Sequence, residues 1–238
     1  MKKSFVFAWI MLFLLICLLF WWTAHRNAQA IRTDGEASSA RVIVIDPGHG
    51  GVDGGAAAAD GTLEKDINLA IAYKLNDLFR CAGIRTVMTR TGDDSIHDPD
   101  AVSIRQKKVS DIHNRLEIMR QTQDALFISI HQNHFEQSKY NGTQVFFSGN
   151  DPRSRALASC IQSAVTTRLQ PENTRQIKQS GTEIYLLYHA VRPAVMVECG
   201  FLSNVQEVSR LKDTNYQTAM AMCIYAGVLD FFENAEEV

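Results

Sequence analysis

The stretch VIVIDPGHGG, residues 42–51, is the clearest indicator of the fold in this sequence. Its first four residues are apolar and β-branched, a pattern typical of a strand that is covered on both faces within a parallel sheet. The chain then changes abruptly to Asp46, Pro47 and His49 among glycines, which predicts a tight polar turn after the strand. Because ligand sites of open α/β sheets lie at the carboxyl ends of strands, we expect a functional site at this turn.

Similar apolar runs alternate with helical segments along the rest of the 238-residue chain. ALFISI at 125–130 and PAVMV at 193–197 have the composition of buried strands, whereas apolar residues after Glu64 recur at helical spacing. This alternation predicts an α/β fold, a three-layer domain with a mostly parallel central sheet flanked by helices. We assign this domain to residues 41–238, which are numerous enough to build one hydrophobic core.

The chain opens with a segment, residues 1–22, that has the character of a membrane helix. Every residue from Phe5 to Trp22 is apolar, and at about 1.5 Å per residue this run covers roughly 27 Å of the ~30 Å hydrocarbon core of a bilayer. We expect one N-terminal transmembrane helix that anchors the protein, or alternatively a cleaved signal segment, followed by a linker over residues 23–40. In either case the main domain is expected outside the cytoplasm, membrane-anchored or secreted.

Composition and short motifs argue against several other classes of protein. Lys and Arg number 24 against 26 Asp and Glu, without a basic block, so we expect no nucleic-acid partner. The sequence also lacks the GK[ST] of a phosphate-binding loop and the HExxH and GxSxG motifs of other hydrolases. Four cysteines beyond the apolar segment are far apart and form no CxxC pair, so we expect free thiols. They are Cys81, Cys160, Cys199 and Cys223.

Ionisable residues follow the predicted strands and converge at one edge of the sheet. His49, His131 and Glu198 each come at the end of an apolar run, and Glu64 opens the helix that returns from the first turn. Two imidazoles and two carboxylates at one edge predict a catalytic zinc site, with one carboxylate left for proton transfer. Spacing alone also leaves open that each is a structural or helix-capping residue, and that His134 rivals His131 as a ligand.

Taken together, four separated motifs resemble a known enzyme family. They are VIVIDPGHGG, Glu64 at a helix start, DALFISIHQN and PAVMVECGFLSN, and in this order they resemble the zinc-dependent N-acetylmuramoyl-L-alanine amidases of the amidase_3 type over about residues 41–234. IRQKKVSDIHNRLEI and VECGFLSN are most similar to the germination-specific amidases that prepare the spore cortex of spore-forming bacteria.

The resemblance implies specific roles for the converging residues. It implies that His49, Glu64 and His131 bind Zn²⁺ and that Glu198 is the catalytic acid and base. The implied reaction is hydrolysis of the amide between the lactyl group of N-acetylmuramic acid and L-alanine of the peptidoglycan stem peptide. In the spore cortex this reaction leads to muramic δ-lactam, which implies a location at the membrane facing the cortex.

Two alternatives to this function remain open from the sequence. One is a zinc peptidase that acts within the stem peptide, and the other is a catalytically inert peptidoglycan-binding protein. Because no wall-binding repeat follows the main domain, three routes of targeting remain open: the membrane contact of the N-terminal segment, the substrate groove, or a partner in the form of an activator or targeting protein.

The chain departs from the family pattern beside the second histidine. Gln132 stands where the family commonly has Ala, and His134 follows Asn133 in place of a small residue. We therefore expect Asn133 and His134 at a substrate-binding rim that differs from that of relatives. We also expect Asp46 to orient His49 or its loop from behind.

Three arginines have two competing interpretations. Arg90, Arg105 and Arg115 either hold carboxylates of the stem peptide, such as that of diaminopimelate, or are surface and loop-tethering residues. The sequence alone does not separate these roles.

Overall fold

The computed structural model describes residues 42–236. The predicted membrane segment, residues 1–22, and the predicted linker, residues 23–40, lie outside the described residues, and both stay predictions. Within residues 42–236, no helix combines the length and the apolar character needed to cross a membrane.

In the part of the chain that the structure describes, six strands form one sheet, in the spatial order β2-β1-β3-β6-β4-β5. They are β1 (Val42–Pro47), β2 (Arg85–Met88), β3 (Ala125–Asn133), β4 (Gln144–Phe147), β5 (Lys178–Gln179) and β6 (Ala194–Phe201). Strands β2, β1, β3 and β6 are mutually parallel, while β4 runs antiparallel to β6 and parallel to β5. The prediction of a mostly parallel sheet is therefore confirmed.

Within the described residues, six helices lie on the two faces of this sheet. They are α1 (Glu64–Cys81), α2 (Ile104–Gln121), α3 (Arg153–Arg168), α4 (Tyr185–Tyr188), α5 (Val205–Lys212) and α6 (Thr214–Glu236). Helices α1, α3, α5 and α6 share one hydrophobic core with the sheet, and α2 and α4 share a second core on the opposite face. The three layers predicted from the sequence are thus confirmed.

Strand β1 shows why its sequence is apolar throughout. Successive side chains of a strand point to opposite faces. Ile43 and Ile45 belong to the core beneath α1 and α6, whereas Val42 and Val44 belong to the core beneath α2. All four are at most 1% exposed, so both faces of the strand require apolar residues.

The register of the central strands brings their polar ends to one edge. Pro47 at the end of β1 pairs with Ile130 of β3, and the next residue, His131, pairs with Glu198 of β6. The next paired residues are Asn133 and Phe201. Between the two pairs β3 advances by two residues and β6 by three, so β6 contains a bulge. This bulge returns Phe201 to the face of the sheet that carries Glu198.

Candidate functional site

His49, Glu64 and His131 meet at the carboxyl edge of the sheet. His49 Nε2 lies 3.2 Å from Glu64 Oε2, and His131 Nδ1 lies 2.8 Å from Glu64 Oε1. The two imidazole centroids are 5.0 Å apart in an edge-to-face arrangement. One nitrogen from each imidazole and one oxygen of Glu64 all lie within 4.8 Å of one another, so three donor atoms surround one point.

Glu64 is the first residue of α1 and is only 3% exposed. Its Oε2 accepts a hydrogen bond of 2.9 Å from the Ala56 amide, and its Oε1 accepts one of 3.1 Å from the Gln132 amide. Burial alone would raise the pKa of Glu64, but the hydrogen bonds from His131 and His49 hold it well below its usual range. The positive end of the helix dipole also favours the ionised carboxylate.

His49 is held in an unusual backbone conformation and by a carboxylate. Its φ of 61° lies in the left-handed region, and it is followed by two glycines with positive φ. Its Nδ1 forms a hydrogen bond of 2.9 Å with Asp53 Oδ2, which turns Nε2 toward Glu64. Burial alone would lower the pKa of His49, but the hydrogen bonds with Asp53 and then with Glu64 raise it to about 9.

Two glycines allow the ligand side chains to approach the backbone. A Cβ on Gly48 would overlap the imidazole of His131. A Cβ on Gly55 would lie 2.6 Å from Glu64 Oε2 and 2.7 Å from His49 Cδ2. Any side chain at these positions would displace a donor group, so the glycines are part of the site.

Glu198 lies beside this cluster, opposite His131 in the pairing of β3 with β6. Its Oε2 is buried and has no hydrogen-bond partner within residues 42–236. Burial raises the pKa of Glu198 to about 7, and the charge of Glu64 adds to the rise. An unpaired carboxyl that titrates near neutral pH is suited to accept and return a proton.

A buried ion pair between Asp46 and Arg115 stabilises the turn after β1. Arg115 Nη1 lies 2.6 Å from Asp46 Oδ1, and the side chains are 3% and 0% exposed. The same guanidinium donates to the carbonyls of Pro47 at 2.8 Å and His49 at 2.7 Å. Asp46 therefore contacts the loop through Arg115 and does not touch the imidazole of His49, whose Nδ1 is held by Asp53.

The other two predicted arginines differ in their surroundings. Arg90 Nε donates to Pro47 O at 2.9 Å, and its Nη2 donates to Gly48 O at 3.1 Å. Arg105 is exposed near the start of α2. The structure thus favours the loop-tethering interpretation for Arg90, as for Arg115, and brings none of the three into the ligand cluster.

A chain of buried amides supports Glu64 on its other side. Asn68, one helical turn after Glu64, donates to Glu64 Oε1 at 3.3 Å and to Gly48 O at 3.2 Å. Gln132 Nε2 in turn donates to Asn68 Oδ1 at 3.1 Å, while Gln132 Oε1 has no partner among the described residues. Gln132, the residue that departs from the family pattern, therefore contacts Glu64 directly through its backbone amide and indirectly, through Asn68, with its side chain.

The two expected rim residues lie just beyond the cluster. Asn133 is half-buried, and its carbonyl accepts a hydrogen bond of 2.8 Å from the Leu202 amide. His134 is exposed and lines a groove of about 600 Å³ between segments 57–60 and 134–136 and helix α5. Because segment 57–60 directly follows Ala56, which binds Glu64, the groove begins next to the cluster.

Cysteine chemistry is absent from the described part of the site. Cys81, Cys160, Cys199 and Cys223 are all free, as predicted. Cys199 follows Glu198 but faces the hydrophobic core, and burial raises the pKa of its thiol. A buried neutral thiol is a poor nucleophile, so Cys199 is not suited to attack a substrate.

Comparisons with known proteins identify the family. The model of the Amidase_3 family, described as N-acetylmuramoyl-L-alanine amidase, matches residues 43–230. The chain is 34% identical over 194 residues to the germination-specific N-acetylmuramoyl-L-alanine amidase of Bacillus subtilis (strain 168), a match that covers 82% of this chain and 81% of that protein.

Solved structures give the same result. The CwlD amidase from Clostridioides difficile, in complex with the GerS lipoprotein, matches with a TM-score of 0.78 and 40% identity, covering 81% of this chain and 98% of that one. The amidase AmiC2 of Nostoc punctiforme matches with a TM-score of 0.69 and 28% identity over 83% of this chain and 99% of that one. The chain therefore belongs to the Amidase_3 family of N-acetylmuramoyl-L-alanine amidases.

Proposed function

We propose that the protein is a zinc-dependent amidase that cleaves the bond between the lactyl group of N-acetylmuramic acid and L-alanine of the peptidoglycan stem peptide. The observation that carries this proposal is the convergence of His49, Glu64 and His131 within 4.8 Å, beside the unpaired carboxyl of Glu198. Membership of the Amidase_3 family supports the choice of bond.

The donor atoms fit a catalytic zinc ion. Two imidazole nitrogens and one carboxylate form the ligand set of zinc hydrolases that keep one position open. Glu64 is ionised, and the second nitrogen of His49 contacts the Asp53 carboxylate, as is usual for histidine ligands in metal sites. When bound, Zn²⁺ supplies a Lewis acid that polarises the scissile carbonyl and acidifies water.

Glu198 has the position and the proton affinity of the acid and base. As a carboxylate it takes the proton of the attacking water, and as a carboxylic acid it returns that proton to the nitrogen of L-alanine. The departing amine is a poor leaving group unless it is protonated, so bond cleavage requires this transfer. In the protein without zinc, burial raises the pKa of Glu198 to about 7, toward the range in which a carboxyl group can both accept and return a proton.

Product analysis of digested peptidoglycan tests the proposal. The full chain with Zn²⁺ should generate new L-alanine amino termini together with peptide-free glycan, and Glu198→Gln should generate neither. A new stem-peptide carboxyl terminus with the glycan linkage intact would identify the peptidase alternative. Binding to peptidoglycan without any new terminus would identify the inert binding protein.

We further propose that this activity serves maturation of the spore cortex. Support comes from the germination-specific relative of Bacillus subtilis and from the CwlD amidase, which was solved in complex with the GerS lipoprotein. By analogy, an activator or targeting protein is a proposed partner here, and the apolar run at Phe5–Trp22 supports a location outside the cytoplasm. Spores that lack this chain should contain less muramic δ-lactam than spores that retain it.

A further inference from the structure

A row of polar side chains extends from the active site across β6 and β4. His131 pairs with Glu198, and Glu198 pairs on its other side with Gln144 of β4. Residues at paired positions of neighbouring strands point to the same face of the sheet. Gln144 therefore lies next to Glu198, on the side away from His131.

Arg175 stands at the end of this row and is held in place. Its Nη1 donates to Gln144 Oε1 at 3.2 Å, and its Nε donates to Asn141 O at 2.7 Å. The guanidinium carbon lies 4.5 Å from the ring centroid of Phe201, the residue that the bulge in β6 returns to the face of Glu198. Stacking and two hydrogen bonds together fix the plane of the guanidinium.

This fixed cation has no bound carboxylate among the described residues. Arg115 and Arg153 each lie within 2.7 Å of an acidic oxygen, whereas Arg175 has no such partner within 4.0 Å and its Nη2 donates no hydrogen bond within residues 42–236. The positive charge of Arg175 acts to lower the pKa of Glu207, against the rise caused by burial, but the two side chains form no ion pair. Glu207 Oε2 instead accepts hydrogen bonds from the amides of Gly142 and Phe201. A half-buried, oriented and unpaired guanidinium is suited to bind a carboxylate.

The distance along the row matches the length of a short peptide. Two strand spacings of about 4.8 Å put the backbone of Gln144 on β4 roughly 10 Å from that of His131 on β3, and Arg175 is one hydrogen bond from the Gln144 side chain. An extended peptide advances about 3.5 Å per residue, so a carboxylate on the second or third residue after the scissile bond reaches this position. Stem peptides carry such acidic residues directly after L-alanine.

We propose that Arg175 binds a free carboxylate of the stem peptide and thereby sets the preference of the enzyme for acidic over amidated stems. This inference rests on the proposed amidase function, because it assigns one end of the same substrate. Arg175 differs in this respect from Arg90 and Arg115, whose guanidinium groups donate hydrogen bonds to backbone carbonyls of the turn after β1.

The test compares two synthetic substrates that differ in one group. Both contain N-acetylmuramoyl-L-alanyl-D-glutamate with its γ-carboxyl blocked as an amide, one with a free α-carboxylate and the other with a carboxamide there. The wild-type chain should prefer the acid, and Arg175→Ala should lose roughly 10- to 100-fold in kcat/KM on the acid, mainly through KM, with little change on the amide. Arg175→Lys should fall between them, and Arg105→Ala, an exposed arginine on α2, should match the wild type.

Binding of the same two compounds to Glu198→Gln separates failure of the subsite from failure of the function. If Glu198→Gln binds the acid more tightly than the amide, and the Glu198→Gln, Arg175→Ala double variant does not, the subsite is supported even if neither compound is cleaved. Cleavage of both compounds with equal kcat/KM, or an equal loss on both in Arg175→Ala, overturns the subsite and leaves the amidase function standing. Unchanged thermal unfolding of Arg175→Lys excludes a folding defect as the cause.

Discussion

Replacing Arg115 by methionine tests how the turn that carries His49 is held. The substitution keeps an apolar stem of similar length but removes the guanidinium, which lies 2.6 Å from Asp46 and donates to two carbonyls of the turn. Asp46, which is 0% exposed, would keep its hydrogen bonds with Thr89 and Ser129 but lose its cation. An uncompensated buried carboxylate is the main cost.

The magnitude follows from burial. Removing one partner of a buried ion pair costs about 3–5 kcal/mol, a large part of the roughly 5–15 kcal/mol that stabilises a typical domain. For a domain of this size the midpoint of thermal unfolding should fall by about 6–20 °C. Arg120→Met on the same helix is the matched control, because its ion pair with Glu117 spans 3.9 Å at side chains about half exposed. It should cost less than about 1 kcal/mol.

Urea unfolding of the full chain in mild detergent at pH 7 measures both variants. The folded state lowers the pKa of Asp46, so its contribution is present above the unfolded pKa and is lost as the pH falls below about 4. The difference between wild type and Arg115→Met should therefore shrink on acidification, and adding Asp46→Asn should restore part of the stability. A loss at pH 7 no larger than that of Arg120→Met would refute this reasoning.

Two further predictions concern the groups around the ligands. Asn68→Ala should weaken zinc binding roughly 10- to 100-fold, measured in competition with a chromophoric chelator, because Asn68 donates to the Glu64 carboxylate. Asn76→Ala is the control, since Asn76 also belongs to α1 but is hydrogen-bonded to Thr86, and it should leave zinc affinity unchanged. Equal zinc affinities of the two variants would contradict the role of Asn68 in supporting Glu64. Without zinc, stabilisation from the raised pKa of His49 is complete below about 6.5 and disappears as the pH rises through about 9. Asp53→Asn should remove much of this pH dependence of unfolding, and an unchanged profile would show that Asp53 does not hold the imidazole.

The sequence was sufficient to predict the elements that carry the ligands. Apolar runs marked β1, β3 and β6, and Glu64 marked the start of α1, because strands covered on both faces and helix starts have local patterns. Their convergence followed from topology, since parallel strands end at the same edge of a sheet.

The residues that support the ligands were less accessible to sequence reasoning. The contact of Asp53 with His49 depends on a left-handed turn within a loop that has no periodic pattern. Asn68 lies four residues after Glu64, a helical spacing from which it was identifiable. Arg175 reaches Phe201 only because of the bulge in β6, which depends on pairing between distant strands and leaves no local signal.

Zinc content measured together with amide cleavage tests the central claim most directly. Wild type and Glu198→Gln should both bind zinc stoichiometrically, and only the wild type should release new L-alanine amino termini from peptidoglycan. Glu64→Ala should lose both zinc and cleavage. Full cleavage by Glu198→Gln, or stoichiometric zinc in Glu64→Ala, would contradict the assignment of a zinc site served by Glu198.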